Sequence, residues 1–85
     1  MKYKVFCIYD VKVGAYMQPF LMQTKGQALR AFTDLANDGQ SQISKHPEDF
    51  TLFQIAEYDE SEGTYTNEMA KISLGTALEF KKENM

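Results

Sequence analysis

Tryptophan is missing from this chain, and cysteine, histidine and proline are nearly so: one Cys, one His and two Pro stand among 85 residues. A single cysteine excludes an internal disulfide. One Cys and one His, far apart in sequence, cannot supply the four N or S ligands of a structural zinc site. Glycines are too scattered to form a phosphate-cradling loop. Long hydrophobic runs are lacking too. Met1-Lys2-Tyr3-Lys4 leads into an apolar run of only four residues, Val5 to Ile8. That is too short for a signal-peptide core, and no stretch is long enough to span a bilayer. Positive charge is also short: nine Lys and Arg face twelve Asp and Glu, a net charge of −3. This argues against coating nucleic acid by bulk electrostatics, which basic domains do, and leaves a local basic patch open.

What remains is rich in aromatics, six Phe and five Tyr, each with a large apolar area to bury. The length suits one small domain, residues 1–85, of modest stability. A second copy of the chain would add buried surface, so a homodimer is expected. A reduced, intracellular protein fits the cysteine content.

Residues 3–9 read as a strand, β-branched and aromatic, with Tyr3, Val5, Cys7 and Tyr9 on one face and Lys4, Phe6, Ile8 and Asp10 on the other. Both faces are apolar in the middle, which predicts a central strand covered on both sides. Val11 to Gly14 reads as a turn. Tyr16 to Met22 is a second short strand or an irregular edge, because Pro19 has no N–H to give. Thr24 suits a helix N-cap, and Gln27 three residues on completes a capping box. Ala28, Leu29, Phe32, Leu35 and Ala36 make one helical face, with Gln27, Arg30, Thr33, Asp34 and Asn37 elsewhere. Gly39 is placed to stop the helix in a left-handed conformation. Gln40 to Lys45 reads as polar connection, and His46-Pro47-Glu48-Asp49 as a tight turn led by Pro47. Phe50 to Asp59 is a strand, with Phe50, Leu52, Ala56 and Tyr58 facing one way and Phe53 and Ile55 the other. A Glu60–Gly63 hairpin loop returns it to a short strand at 64–66. The C-terminal part reads as a helix capped by Ser73 with Leu74, Ala77 and Leu78 inward; Ile72, Leu74 and Phe80 fit a last strand as the alternative. The fold class is α+β, a small antiparallel sheet packed with one main amphipathic helix and a short C-terminal helix. Met17, Met22 and Met69 read as packing residues.

Candidate chemistry is sparse. Asp59, Glu60 and Glu62 sit in a hairpin turn rather than between the two helices of a calcium loop. His46 reads as a loop histidine beside Pro47 and an acid. Cys7 is a poor nucleophile, since an apolar strand raises a thiol pKa. Thr24-Lys25-Gly26 offers the free N–H groups that any helix start offers. No cofactor, no metal and no enzymatic activity are expected. The cations are more suggestive. Lys2, Lys4 and Lys12 follow the first strand, and Lys25 and Arg30 lie on the helix; Lys71, Lys81 and Lys82 come later. Joined with Tyr3, Tyr9 or Tyr16, such cations make the kind of surface that binds single strands, ammonium groups on phosphates and rings under bases.

The stretch QPFLMQTKGQALRAFTDLAND, followed by KHPEDFTLFQIAEYD and, past Gly63, by ISLGTALEF, resembles the small non-structural protein of gokushovirus-type microviruses (Microviridae), which are single-stranded DNA phages. The resemblance covers nearly the whole chain. It implies a non-enzymatic protein of the infected host's cytoplasm, absent from the virion, that binds DNA or acts in genome replication and packaging. Two readings follow. One is a single-stranded-DNA-binding factor using Lys2, Lys4, Lys12, Lys25, Arg30, Tyr3 and Tyr9. The other is a homodimeric protein-interaction factor that meets a phage or host protein and touches no nucleic acid.

Overall fold

The first strand is paired along both of its sides. In a computed structural model, which describes residues 1–82, β1 (Lys2–Asp10) is followed by β2 (Ala15–Tyr16), β3 (Phe20–Met22), α1 (Lys25–Asn37) and α2 (Gln42–Lys45). A single 3-10 turn (Pro47–Asp49), β4 (Phe50–Asp59), β5 (Thr64–Thr76) and α3 (Ala77–Phe80) complete the chain. All strand pairs are antiparallel, in the order β2-β1-β4-β5, and β3 also pairs with β1. Because β4 follows β1 from Lys2 to Asp10, β2 and β3 share the opposite edge. Pro19 falls in the gap between them, where no ladder needs its missing N–H. The molecule is long and thin, 47 × 25 × 19 Å.

Helix α1 starts as its capping residues dictate. Thr24 Oγ1 accepts the Gln27 N–H at 3.2 Å, and Gln27 Oε1 accepts the Thr24 N–H at 3.2 Å. Ala28, Phe32 and Ala36, four residues apart, are buried against Phe6, Ile8, Phe50 and Leu52. The two alanines let the helix approach the sheet closely, and Phe32 fills the space between them. Leu35, expected inward, is 38% exposed: the 28-32-36 row faces the sheet, with Leu29 half-buried beside it. Gly39 does not form a left-handed stop. The cap is Asp38 in an extended conformation, whose carboxylate accepts the Gln40 N–H at 3.0 Å. Nor is 40–45 a plain connection. Ser41 Oγ accepts the Ile43 N–H at 3.0 Å and starts α2, which buries Ile43. The 3-10 turn begins at Pro47 as expected.

The β1–β4 pairing departs from simple alternation at one place, and β4–β5 shifts register at Leu52/Phe53 and Gln54/Ala56. Phe6 pairs with Gln54 and Val5 with Ala56, so Ile55 is a bulged extra residue. Phe50, Leu52 and Gln54 therefore face the helices, whereas Ala56 and Tyr58 cross to the other face beside Phe53. The expected grouping of Phe50, Leu52, Ala56 and Tyr58 is corrected by that one residue. Gln54, carried into the helix side, donates its amide to Glu68 Oε2 at 3.1 Å. The hairpin turns at Gly63 with φ +68°. The returning strand is not short: β5 continues to Thr76. Ser73 therefore lies in a strand, and the last helix starts after Thr76, whose N–H donates to Glu79 Oε2 at 2.7 Å. Gly75 has φ +123°, and a Cβ there would stand 3.1 Å from the Phe80 ring, so only glycine lets α3 fold back at once. Asn37 Nδ2 donates to the Phe80 carbonyl at 3.1 Å, and Lys81 Nζ to the Ser44 carbonyl at 2.7 Å, fastening α3 to α1 and α2. The helices cover only one face of β1, not both. Met22 is half-buried at the core and Met17 is exposed; the Met69 side chain lies outside the described residues.

Phe32→Ala should cost about 3–5 kcal/mol, while Leu35→Ala should stay within about 0.5–1 kcal/mol. Denaturant melts of the two variants check this: comparable losses would mean that the helix presents a different row to the sheet.

Candidate functional site

Period-two alternation gathers most of the tyrosines on the face opposite the helices. On β1 these positions are Tyr3, Val5, Cys7 and Tyr9. Their cross-strand partners are Tyr58, Ala56, Phe53 and Thr51 on β4, with Leu21 opposite Val5 and Tyr16 opposite Tyr9 on the other edge. Tyr65 lies opposite Tyr58. None of these residues belongs to the helix-side core.

The rings form two groups. In the first, Tyr9 and Tyr16 are 4.7 Å apart and Tyr16 meets Phe53 edge-on at 5.9 Å. Lys71 Nζ stands 5.6 Å from the centre of the Tyr16 ring, a cation–π contact. In the second, Tyr58 and Tyr65 are 4.9 Å apart. Tyr16 is 43% and Tyr65 62% exposed. Val5, Cys7 and Ala56 lie between the groups, each 4% exposed. They are short side chains sheltered by taller neighbours, and the Cys7 thiol donates to the Met17 carbonyl at 3.1 Å.

The expected cations do not join this face. Lys2 and Lys4 alternate to the helix side, as do the carboxylates of Asp10, Glu57 and Asp59, and Lys4 Nζ lies 3.8 Å from Glu57 Oε2. Lys25 and Arg30 are exposed on α1, beyond the sheet. Lys12, in the turn after β1, lines a cavity with Asp10, Gln42, His46, Asp49 and Phe50. Of the seven expected residues, Tyr3 and Tyr9 share the face and the five cations do not. The reason is geometric, since neighbours along a strand point to opposite sides. The cation that does arrive is Lys71, from a strand longer than expected. Tyr16 and Lys71 are among the candidate rings and cations but outside the seven residues, and Phe53, Tyr58 and Tyr65 are the residues that sequence reasoning left out of the site. A signal for one pair was present, because Tyr58 and Tyr65 flank the 60–63 hairpin loop and hairpin pairing sets them side by side.

The Glu60 carboxylate beside Tyr3 holds that phenol above its usual pKa. Burial pushes the Cys7 thiol up as well. Among the described residues, no three His, Cys, Asp or Glu are placed to hold a metal ion. Nor is any helix among them long and apolar enough to cross a membrane.

A family model described as Phage ORF5 protein matches residues 3–80. The chain belongs to the Phage ORF5 protein family. This Phage ORF5 chain is thus a bacteriophage protein, and the matched span takes in both aromatic groups, Lys71 and the whole helix-side core. Comparison of the Phage ORF5 chain with curated proteins and with solved structures returns no match.

Because the folded chain keeps the Cys7 proton to higher pH than the unfolded chain does, its contribution to stability is fully present below the unfolded thiol pKa of about 8.5. It is lost as pH rises through the folded value. Urea melts from about pH 7.5 to 9.5 should show falling stability, and Cys7→Ala should flatten that fall. An equal slope in the variant would place the titration elsewhere.

Proposed function

We propose that this phage protein is a non-enzymatic single-stranded-DNA-binding factor, acting in genome replication or packaging of a microvirus-type phage in the host cytoplasm. The observation that carries the reading is an open sheet face with exposed Tyr16 and Tyr65 rings and Lys71 beside one of them. Rings on a sheet stack with unpaired bases, whose π faces a duplex keeps hidden, and an ammonium beside them meets the phosphates. Charge sorting supports it: the strand carboxylates Asp10, Glu57 and Asp59 lie on the opposite face. Those three carboxylates are therefore kept off the surface a polyanion would approach, while Glu60 stands at its hairpin end.

The second reading, a homodimer that meets a phage or host protein, competes for the same surface. Leu21 and Tyr65 are exposed there with no layer of described residues above them. Light scattering at micromolar concentration, with and without oligonucleotide, separates the two. A dimer that fails to bind DNA favours the second reading.

With one cation on the face, the logarithm of the binding constant should fall with log salt at a slope of about −0.7 on a single strand. Lys71→Glu should abolish binding at moderate salt, whereas Lys4→Glu with Lys12→Glu should leave it nearly unchanged. Salt-titrated anisotropy with single-stranded and duplex DNA measures this. Loss of binding in the double variant but not in Lys71→Glu would move the interface to the helix side.

A further inference from the structure

The two aromatic groups stand apart on their common face. Tyr16 lies opposite Tyr9, and Tyr65 lies opposite Tyr58, which lies opposite Tyr3, so six residues of β1 separate the two exposed rings, about 20 Å at the usual strand rise. One base cannot lie against both. Val5 and Ala56, between them, are too short and too deeply seated to stack with a base. A DNA strand advances about 3.4 Å per stacked nucleotide. About six steps cover the gap when the bases stay stacked, and fewer when the strand is drawn out. The groups also differ in charge. Lys71 stands over the Tyr16 ring, whereas Glu60, a carboxylate, opens the hairpin loop next to the Tyr58–Tyr65 pair. A phosphate is attracted at the first and repelled at the second.

We infer that the face holds one DNA strand at two separate stacking stations. The Tyr16 station takes a base and a phosphate, and the Tyr65 station takes a base alone. Full affinity then needs a strand of about six nucleotides or more to bridge them. The inference rests on the single-strand reading above.

Dye-labelled oligothymidylates of two to eight nucleotides, titrated at low salt by anisotropy, test it. Affinity should rise steeply near the bridging length and then level off. Tyr65→Ala should weaken the octamer about 5- to 150-fold and leave the dimer within about twofold, while Tyr65→Phe keeps both. Tyr16→Ala should weaken both lengths. Melting curves confirm that each variant is folded, and the wild-type length series needs no variant at all. Affinity growing smoothly with length, or Tyr65→Ala affecting dimer and octamer alike, overturns the two-station inference while leaving single-strand binding in place. No binding of the wild type to the octamer overturns both.

Discussion

Strand β4 carries one residue more than β1 can pair, and the surplus falls at Ile55. Everything about how the two faces differ follows from that residue. Before it, Phe50, Leu52 and Gln54 belong to the helix side; after it, Ala56 and Tyr58 belong to the open side. Without the bulge, Tyr58 would point toward the helix side, where the described core contains no residue of the hairpin end. Glu57 and Asp59 would then stand among the tyrosines. A single insertion thus places Tyr58 with the rings and Glu57 and Asp59 on the other face.

The helix-side core is held by a small set of contacts. Phe6, Phe32 and Leu52 are its largest fully buried side chains, and Phe80 closes it edge-on to Phe32 at 6.0 Å. The helix ends are well satisfied. Thr24 and Gln27 cap α1, Ser41 caps α2, and Glu79 serves the backbone at Thr76. The described residues leave no buried side-chain nitrogen or oxygen without a partner. For a chain of this size, such complete pairing matters, because each orphaned buried group costs about 1–3 kcal/mol.

The features that could be read from the sequence were the local ones. The Thr24–Gln27 box, the turn at Gly63, the 3-10 start at Pro47 and the strands around Phe6 and Leu52 each depend on a few neighbouring residues. Gly39 misled because an αL stop is one of several ways to end a helix, and Asp38 had a different one. Ser73 misled because its capping chemistry is outweighed by β5 pairing with β4, a contact between distant residues. The site was half legible. Tyr3 and Tyr9 alternate correctly, but the expected lysines were judged by nearness in sequence, and nearness along a strand means opposite faces. That Lys71 rather than the other cations meets Tyr16 emerges only when four strands, β2, β1, β4 and β5, are laid side by side.

Behind the Tyr9–Tyr16–Phe53 group the sheet is backed by packed helices. The buried core among the described residues does not reach behind Tyr58 and Tyr65, where the sheet is lined by Lys2, Lys4, Glu57, Asp59, Thr64 and Thr66. The amides of that hairpin accordingly open at lower free energy than those of Phe6 or Leu52. The molecule is stiff at one end and compliant at the other. A ligand seated first at the stiff end would find the far rings able to adjust to it, and the ordering of the hairpin would be part of what that ligand's binding energy has to supply.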